Sequence, residues 1–140
     1  MDVTGAPDSL WPTDWPDGPL ELDEALALAA TLIPPGQATS YGGLAAALGA
    51  GGPRQAGRAM SRAPEGTPWW RVVRADGSLP PSLASRAAAH WRAEGTPQRA
   101  HSSAGLPDDG RHLRLDLASA RWSPGAEDER LLRALRERIG

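Results

Sequence analysis

The segment Gly49-Ala50-Gly51-Gly52-Pro53 does most to limit the folds open to this chain. No helix runs through it. Glycine is the poorest helix former after proline, and proline is tolerated only in a helix's first turn. The Ala-rich stretch before it and the Arg-rich stretch after it must therefore be separate short helices joined by a tight turn. Thr39 or Ser40 is the expected N-cap of the earlier one and Gly49 its C-terminal stop. Pro53 suits the first turn of the later one, which runs to about Arg62. A helix is also expected over residues 22–33, where Leu22, Leu26, Ala29, Ala30 and Ile33 fall at helical spacing. Asp23 is its expected cap, and Pro34-Pro35-Gly36 ends it. Helix, Ala-rich helix, glycine turn, basic helix is the outline of a helix-turn-helix unit.

On the last of these helices Arg54, Arg58 and Arg62 recur at i, i+4 and i+8, while Ala56, Ala59, Met60 and Ala63 are placed to face the body. Like charges at this spacing repel by a few tenths of a kcal/mol, and no acid on the helix offsets them. Either the stripe is a solvated surface or it meets a polyanion, and the charge distribution favours the polyanion. Residues 1–33 hold Asp2, Asp8, Asp14, Asp17, Glu21, Asp23 and Glu24 with no base, whereas residues 53–100 hold eight Arg against Glu65, Asp76 and Glu94. A basic middle with an acidic flank suits nucleic acid while keeping the chain soluble. Gly57, with Ala56 and Ala59, permits close approach to a phosphate backbone.

Composition excludes several chemistries. With no Cys there is no disulfide, no thiolate metal site and no cysteine nucleophile. His90, His101 and His112 lie far apart at no metal-ligand spacing, so they are expected as surface or packing residues, and neither a metal nor a cofactor is expected. No phosphate loop or nucleophile elbow is present. No apolar run approaches the roughly 20 residues of a membrane span, and the start of the chain has no basic, apolar leader pattern. A cytoplasmic, nucleoid-associated monomer is the expectation, and 140 residues suit one domain.

Residues 1–21, rich in Pro, Asp and Trp, are expected as an irregular arm, either packed down by Trp11 and Trp15 or left as a loose tail. Residues 70–74 have the pattern of a buried strand with Asp76-Gly77 as its turn. Residues 85–94 have helical spacing, with Ser85 as cap and Gly95 as stop. His112-Leu113-Arg114-Leu115-Asp116-Leu117 alternates and is expected as a strand, either a wing or a partner of the Trp70 strand. Trp122 closes the domain, and residues 127–139 form a charged amphipathic helix with Leu131, Leu132, Leu135 and Ile139 as its apolar stripe.

Between the basic helix and the first strand lies Pro68-Trp69-Trp70-Arg71-Val72-Val73. Six Trp and no Phe make Trp this chain's main packing aromatic. An indole in a turn beside a basic helix also offers a face to a nucleobase. Spacing alone leaves core packing and base contact open.

Four stretches in order, Ile33-Pro34-Pro35-Gly36, Thr39-Ser40-Tyr41-Gly42, Pro53-Arg54-Gln55-Ala56-Gly57 and Pro68-Trp69-Trp70-Arg71-Val72-Val73, followed by Glu94-Gly95, resemble the O6-alkylguanine-DNA alkyltransferase family over about residues 22–122. Trp69 stands where that family has its reactive Cys, which marks the alkyltransferase-like members. The resemblance implies a mostly α fold with a small β component, a winged helix-turn-helix DNA-binding domain at residues 22–122. Residues 1–21 and 123–140 lie outside it as an acidic arm and a C-terminal helix. It implies a protein that is not an enzyme. Such a protein binds O6-alkylguanine in double-stranded DNA from the minor groove, flips the base and flags it for nucleotide excision repair proteins. By position, Arg54 fills the place of the flipped base and Tyr41 contacts the rotated phosphate. The lesion pocket is assigned to Trp69, Tyr41, Arg71, Val72 and Glu94. DNA contact is assigned to Arg54, Gln55, Gly57, Arg58, Arg62, Thr39, Ser40 and Tyr41. Trp70 replaces the family's His, whose proton relay has no purpose without a thiol, and is expected to pack into the core. The alternative functional reading is a winged-helix regulatory or interaction module without lesion specificity.

Overall fold

The computed structural model describes residues 11–99 and 114–140. The first helix, α1, spans Leu22–Ala30 and packs on both α2 (Tyr41–Leu48) and α3 (Pro53–Ser61). Its cap is Glu21 and not the expected Asp23, which lies in the first turn. The Glu24 carboxylate accepts the Glu21 N–H at 2.9 Å, and this bond sets the cap two residues earlier. The helix also stops short of Ile33. Thr31, Leu32 and Ile33 donate to carbonyls three residues back at 3.1 Å, a tightened turn ahead of Pro34-Pro35, because a residue before proline is driven out of the α region.

The two helices around the glycine turn form as expected. Ser40 Oγ accepts the Gly43 N–H at 2.9 Å, and Gly49 closes α2 with φ +83°. Pro53 opens α3, and the Gln55 side-chain carbonyl accepts the Gly52 N–H at 3.0 Å.

The sheet is small. β1 (Thr39–Ser40) runs parallel to β2 (Val72–Val73), with Thr39 opposite Val72 and Ser40 opposite Val73. On the other side Ala38 bridges Arg121. The expected strand over residues 70–74 is thus only two residues long. Trp69–Arg71 instead wind as one 3-10 turn after Pro68, with the Arg71 N–H on the Pro68 carbonyl at 3.1 Å. Gly77 makes the expected turn at φ +86°, where a Cβ would stand 2.3 Å from the Leu115 carbonyl oxygen.

α4 covers Pro81–Glu94 and ends at Gly95 with φ +68°. It starts a turn before the expected Ser85, because Pro81 supplies the first-turn residue. The expected strand over residues 112–117 is corrected as well. Residues 112 and 113, like His101, lie outside the described residues. Leu115 forms a single antiparallel bridge with Gln98 and does not pair with β2. The alternation breaks at Asp116, whose carboxylate accepts the Ser119 N–H and hydroxyl and caps a short helix, α5 (Leu117–Ala120). α6 spans Ala126–Arg138 and buries Leu132 and Leu135.

The arm packs down from Trp11 onward. Trp15 is buried, Trp11 meets it edge to face at 5.0 Å, and the Arg138 guanidinium lies 3.7 Å over the Trp11 ring. Leu20 pairs with Ile139, so the arm and the end of α6 hold each other. The core falls into two clusters. One joins α1, α2, α3 and α6 with Trp15, Val72 and Trp122. The other joins Val73, Leu79, Trp91 and Leu115 with Ala84 and Ala87 of α4. Tyr41 and Trp69, both half-buried, pack against both clusters and so lie at their seam.

Candidate nucleic-acid interface

α3 presents the face its spacing predicts. Ala56, Ala59 and Met60 are buried, while Arg54, Arg58 and Arg62 are exposed. Of the remaining residues assigned to DNA contact, Gln55 and Ser40 have their side chains engaged in helix capping, and Thr39 is half-buried in β1. Gly57 sits where α2 and α3 meet, since a Cβ there would lie 3.9 Å from the Tyr41 ring. Burial of Tyr41 pushes its hydroxyl above the ordinary phenol range, opposed by the positive charge of Arg74. The phenol is therefore neutral at physiological pH, a donor that can bond a phosphate oxygen without repelling it.

The turn at Trp69 is held by a single face of α4. Arg86, His90 and Glu94 recur at i, i+4 and i+8 on it. The Arg86 guanidinium lies 5.2 Å over the Trp69 ring. His90 stacks on Trp70 at 3.7 Å and 10°, and meets Trp69 edge to face at 6.1 Å. Glu94 closes the series. Its carboxylate accepts Arg71 Nε at 3.1 Å, Arg71 Nη2 at 2.6 Å, Trp70 Nε1 at 2.9 Å and the Gly36 N–H at 3.2 Å. Arg71 Nη1 reaches the Ile33 carbonyl at 2.8 Å. Desolvation by burial works to raise the Glu94 pKa, but the bonds from Arg71, Trp70 and Gly36 outweigh it and hold the carboxyl below the usual range.

These contacts separate the five pocket residues into two kinds. Trp69 and Tyr41 are half-exposed at the seam. Arg71 and Glu94 neutralise each other and tie α4 to the segment that follows α1, and Val72 is fully buried in the first core cluster. Trp70 packs on the second core cluster, as expected, but it also makes a polar bond that its type and position did not announce. Arg86 and His90 were not legible as site residues, although the Arg86-His90-Glu94 spacing was a signal available in the sequence. Neither Arg74 beside Tyr41 nor Arg86 over Trp69 belongs to the basic stripe of α3.

A groove of about 420 Å3 lies elsewhere, lined by Ala75, Asp76, Arg99, Leu115, Asp116, Leu117 and Ala118. None of the five pocket residues borders it. The Asp76 carboxylate there is held by the Ser78 hydroxyl at 2.6 Å and the Ser78 N–H at 3.0 Å. No cluster of three or more potential metal ligands occurs among the described residues. Nor is any helix among them long and apolar enough to cross a membrane.

Three comparisons bear on this geometry. No curated protein matches the chain. Among solved structures it is similar to S. pombe Atl1 in complex with damaged DNA containing O6-carboxymethylguanine. That match has 25% identity and a TM-score of 0.60, and covers 75% of this chain and all of the Atl1 chain. A second structure of the S. pombe ATL protein with DNA matches at 24% identity and a TM-score of 0.56, with the same coverage, and supports the fold. The family model described as the DNA-binding domain of 6-O-methylguanine DNA methyltransferase matches residues 21–96, from the cap of α1 to just past Glu94. The chain belongs to the family of that DNA-binding domain, with the winged helix-turn-helix fold.

Proposed function

We propose that this protein recognises O6-alkylguanine in duplex DNA without chemically altering it. The observation that carries this reading is the placement of Trp69. It is half-buried at the seam of the two cores, fixed by α4, in a chain that has no thiol. An indole can stack on a base, worth about 1–3 kcal/mol, but it cannot accept an alkyl group as a thiolate would. α3 supplies the partner surface, an exposed Arg stripe without a counter-acid on the helix, and the small residue Gly57 lets it approach the minor groove.

In this reading Arg54, at the start of α3, enters the duplex and takes the space of the base, while Tyr41 bonds the phosphate that turns with it. Extrusion costs a few kcal/mol and least for a poorly paired base, so O6-alkylation itself supplies part of the selectivity. The held lesion then marks the site for nucleotide excision repair proteins. The protein acts as a monomer on nucleoid DNA in the cytoplasm. The similarity to Atl1, crystallised on DNA with an O6-carboxymethylguanine lesion, supports the lesion class.

Arg54→Ala tests the reading. It should abolish the preference for a duplex with one O6-methylguanine over the matched guanine duplex. Arg62→Ala should weaken both duplexes alike and lower the salt slope by about one unit, because it removes only a phosphate contact. If Arg54→Ala keeps the full lesion preference, extrusion does not run through α3. Sequence-specific binding indifferent to the lesion would instead favour a regulatory winged-helix role.

A further inference from the structure

Trp70, beside Trp69, is held by α4 at three points. Its backbone carbonyl accepts the indole N–H of the fully buried Trp91 at 2.8 Å. Its own indole N–H is taken by Glu94 at 2.9 Å, and one face of the ring is covered by His90. Backbone, ring nitrogen and ring face are thus all fixed, by three residues within two turns of one helix. The Arg71 guanidinium also lies 5.5 Å over the Trp70 ring, and Trp69 meets that ring at 5.7 Å and 87°, an edge-to-face geometry in which one ring sets the tilt of the other. The guanidinium of Arg86 lies over Trp69. Glu94 has four donors on two oxygens, so it cannot follow Trp70 if that ring moves without breaking its bonds to Arg71 and Gly36.

We propose that Trp70 is a positioning residue of the lesion site: its clamp to Glu94 and His90 fixes the tilt of Trp69 and so sets the preference for a damaged base, without Trp70 touching DNA. This rests on the functional reading above. An indole N–H is a donor only, so Trp70 can hold Glu94 but can neither accept nor relay a proton. It keeps a hydrogen-bonding role at the position next to Trp69 and has none in acid–base chemistry. A tilt fixed before binding costs nothing at the moment of binding, which is why its loss should appear in discrimination and not in general DNA affinity.

The test is Trp70→Phe in the full chain, which keeps a ring against His90 and removes only the N–H donor and part of the ring. Binding is measured by fluorescence anisotropy on a duplex with one O6-methylguanine and on its guanine match. The affinity for the guanine duplex should stay within about twofold, and the lesion preference should fall by about fivefold, because the tilt of Trp69 is then no longer fixed before binding. His90→Ala, which removes the stack and leaves the N–H, should lower the preference in the same direction and serves if Trp70→Phe does not fold. Leu132→Ala, a cavity in α6 far in sequence from the site, should lower the melting temperature and leave the preference unchanged; a fall there of the same size would make Trp70's role general stability only. Wild-type preference retained by both Trp70→Phe and His90→Ala would overturn the proposal while leaving lesion recognition standing. A wild type with no lesion preference would overturn both.

Discussion

Replacing Glu94 with Ala should cost about 3 kcal/mol of stability. The side chains of Arg71 and Glu94 retain 14% and 13% of their exposure, so the pair is largely removed from water. Removing one partner of a buried pair costs about 3–5 kcal/mol, mostly because the other charge is left without compensation. Here Arg71 would keep only its bond to the Ile33 carbonyl, and the Trp70 and Gly36 N–H groups would lose their acceptor. Residual water access places the loss at the lower end of that range. In a chain of this size about 3 kcal/mol corresponds to a fall of roughly 10 °C in melting temperature. Urea unfolding followed by circular dichroism measures the free energy directly. The pH dependence is a second readout. The folded-state pKa of Glu94 is lowered, so its contribution is fully present above the unfolded value of about 4.3 and is lost as pH falls through the folded one. The difference between wild type and Glu94→Ala should therefore be flat from neutral pH down to about pH 5 and shrink below that. A loss under about 1 kcal/mol, the range of exposed ion pairs, would refute the reasoning, because Glu94 would then not be the junction of α4, the Trp turn and the segment that follows α1.

Two glycine substitutions should behave in opposite ways. Gly57→Ala should stabilise the fold by about 0.5–1 kcal/mol through helix propensity, since its Cβ meets only the Tyr41 ring at ordinary contact distance; DNA affinity should fall if α3 lies close against the backbone. Gly77→Ala should destabilise by several kcal/mol, because its Cβ would stand 2.3 Å from the Leu115 carbonyl at a positive φ; thermal melting separates the two. Incubation with O6-methylguanine DNA should leave the intact mass of the protein unchanged, and an added methyl mass would reveal a nucleophile among its side chains.

The parts legible in the sequence were those fixed by neighbours in the chain. The Ser40 cap, the Gly49 stop and the Pro53 start are contacts within one helical turn, and they defined α2 and α3 together with the Arg stripe. The errors fall where distant residues decide. Trp70 and Arg71 are expected at the start of a strand but wind with Trp69 into a turn whose Trp70 carbonyl is taken by Trp91, 21 residues away. Asp116 looked like the polar position of an alternating strand, yet its carboxylate caps a helix. Glu94 at the end of a helix could be any solvated acid, and nothing local shows that the loop at Gly36 and the Trp turn converge on it. The Trp69 position was singled out only by the order of motifs around it. Spacing alone left packing and base contact open, and the structure places the ring where it packs against both cores and stays half-exposed.

The most direct test of the account is the affinity of the wild-type chain for one 20-base-pair duplex carrying a single central O6-methylguanine against the same duplex with guanine, at physiological salt. Lesion recognition predicts binding tighter by about tenfold, equal to about 1.4 kcal/mol, the scale expected from easier extrusion and stacking on Trp69. Equal affinity for the two duplexes would contradict it.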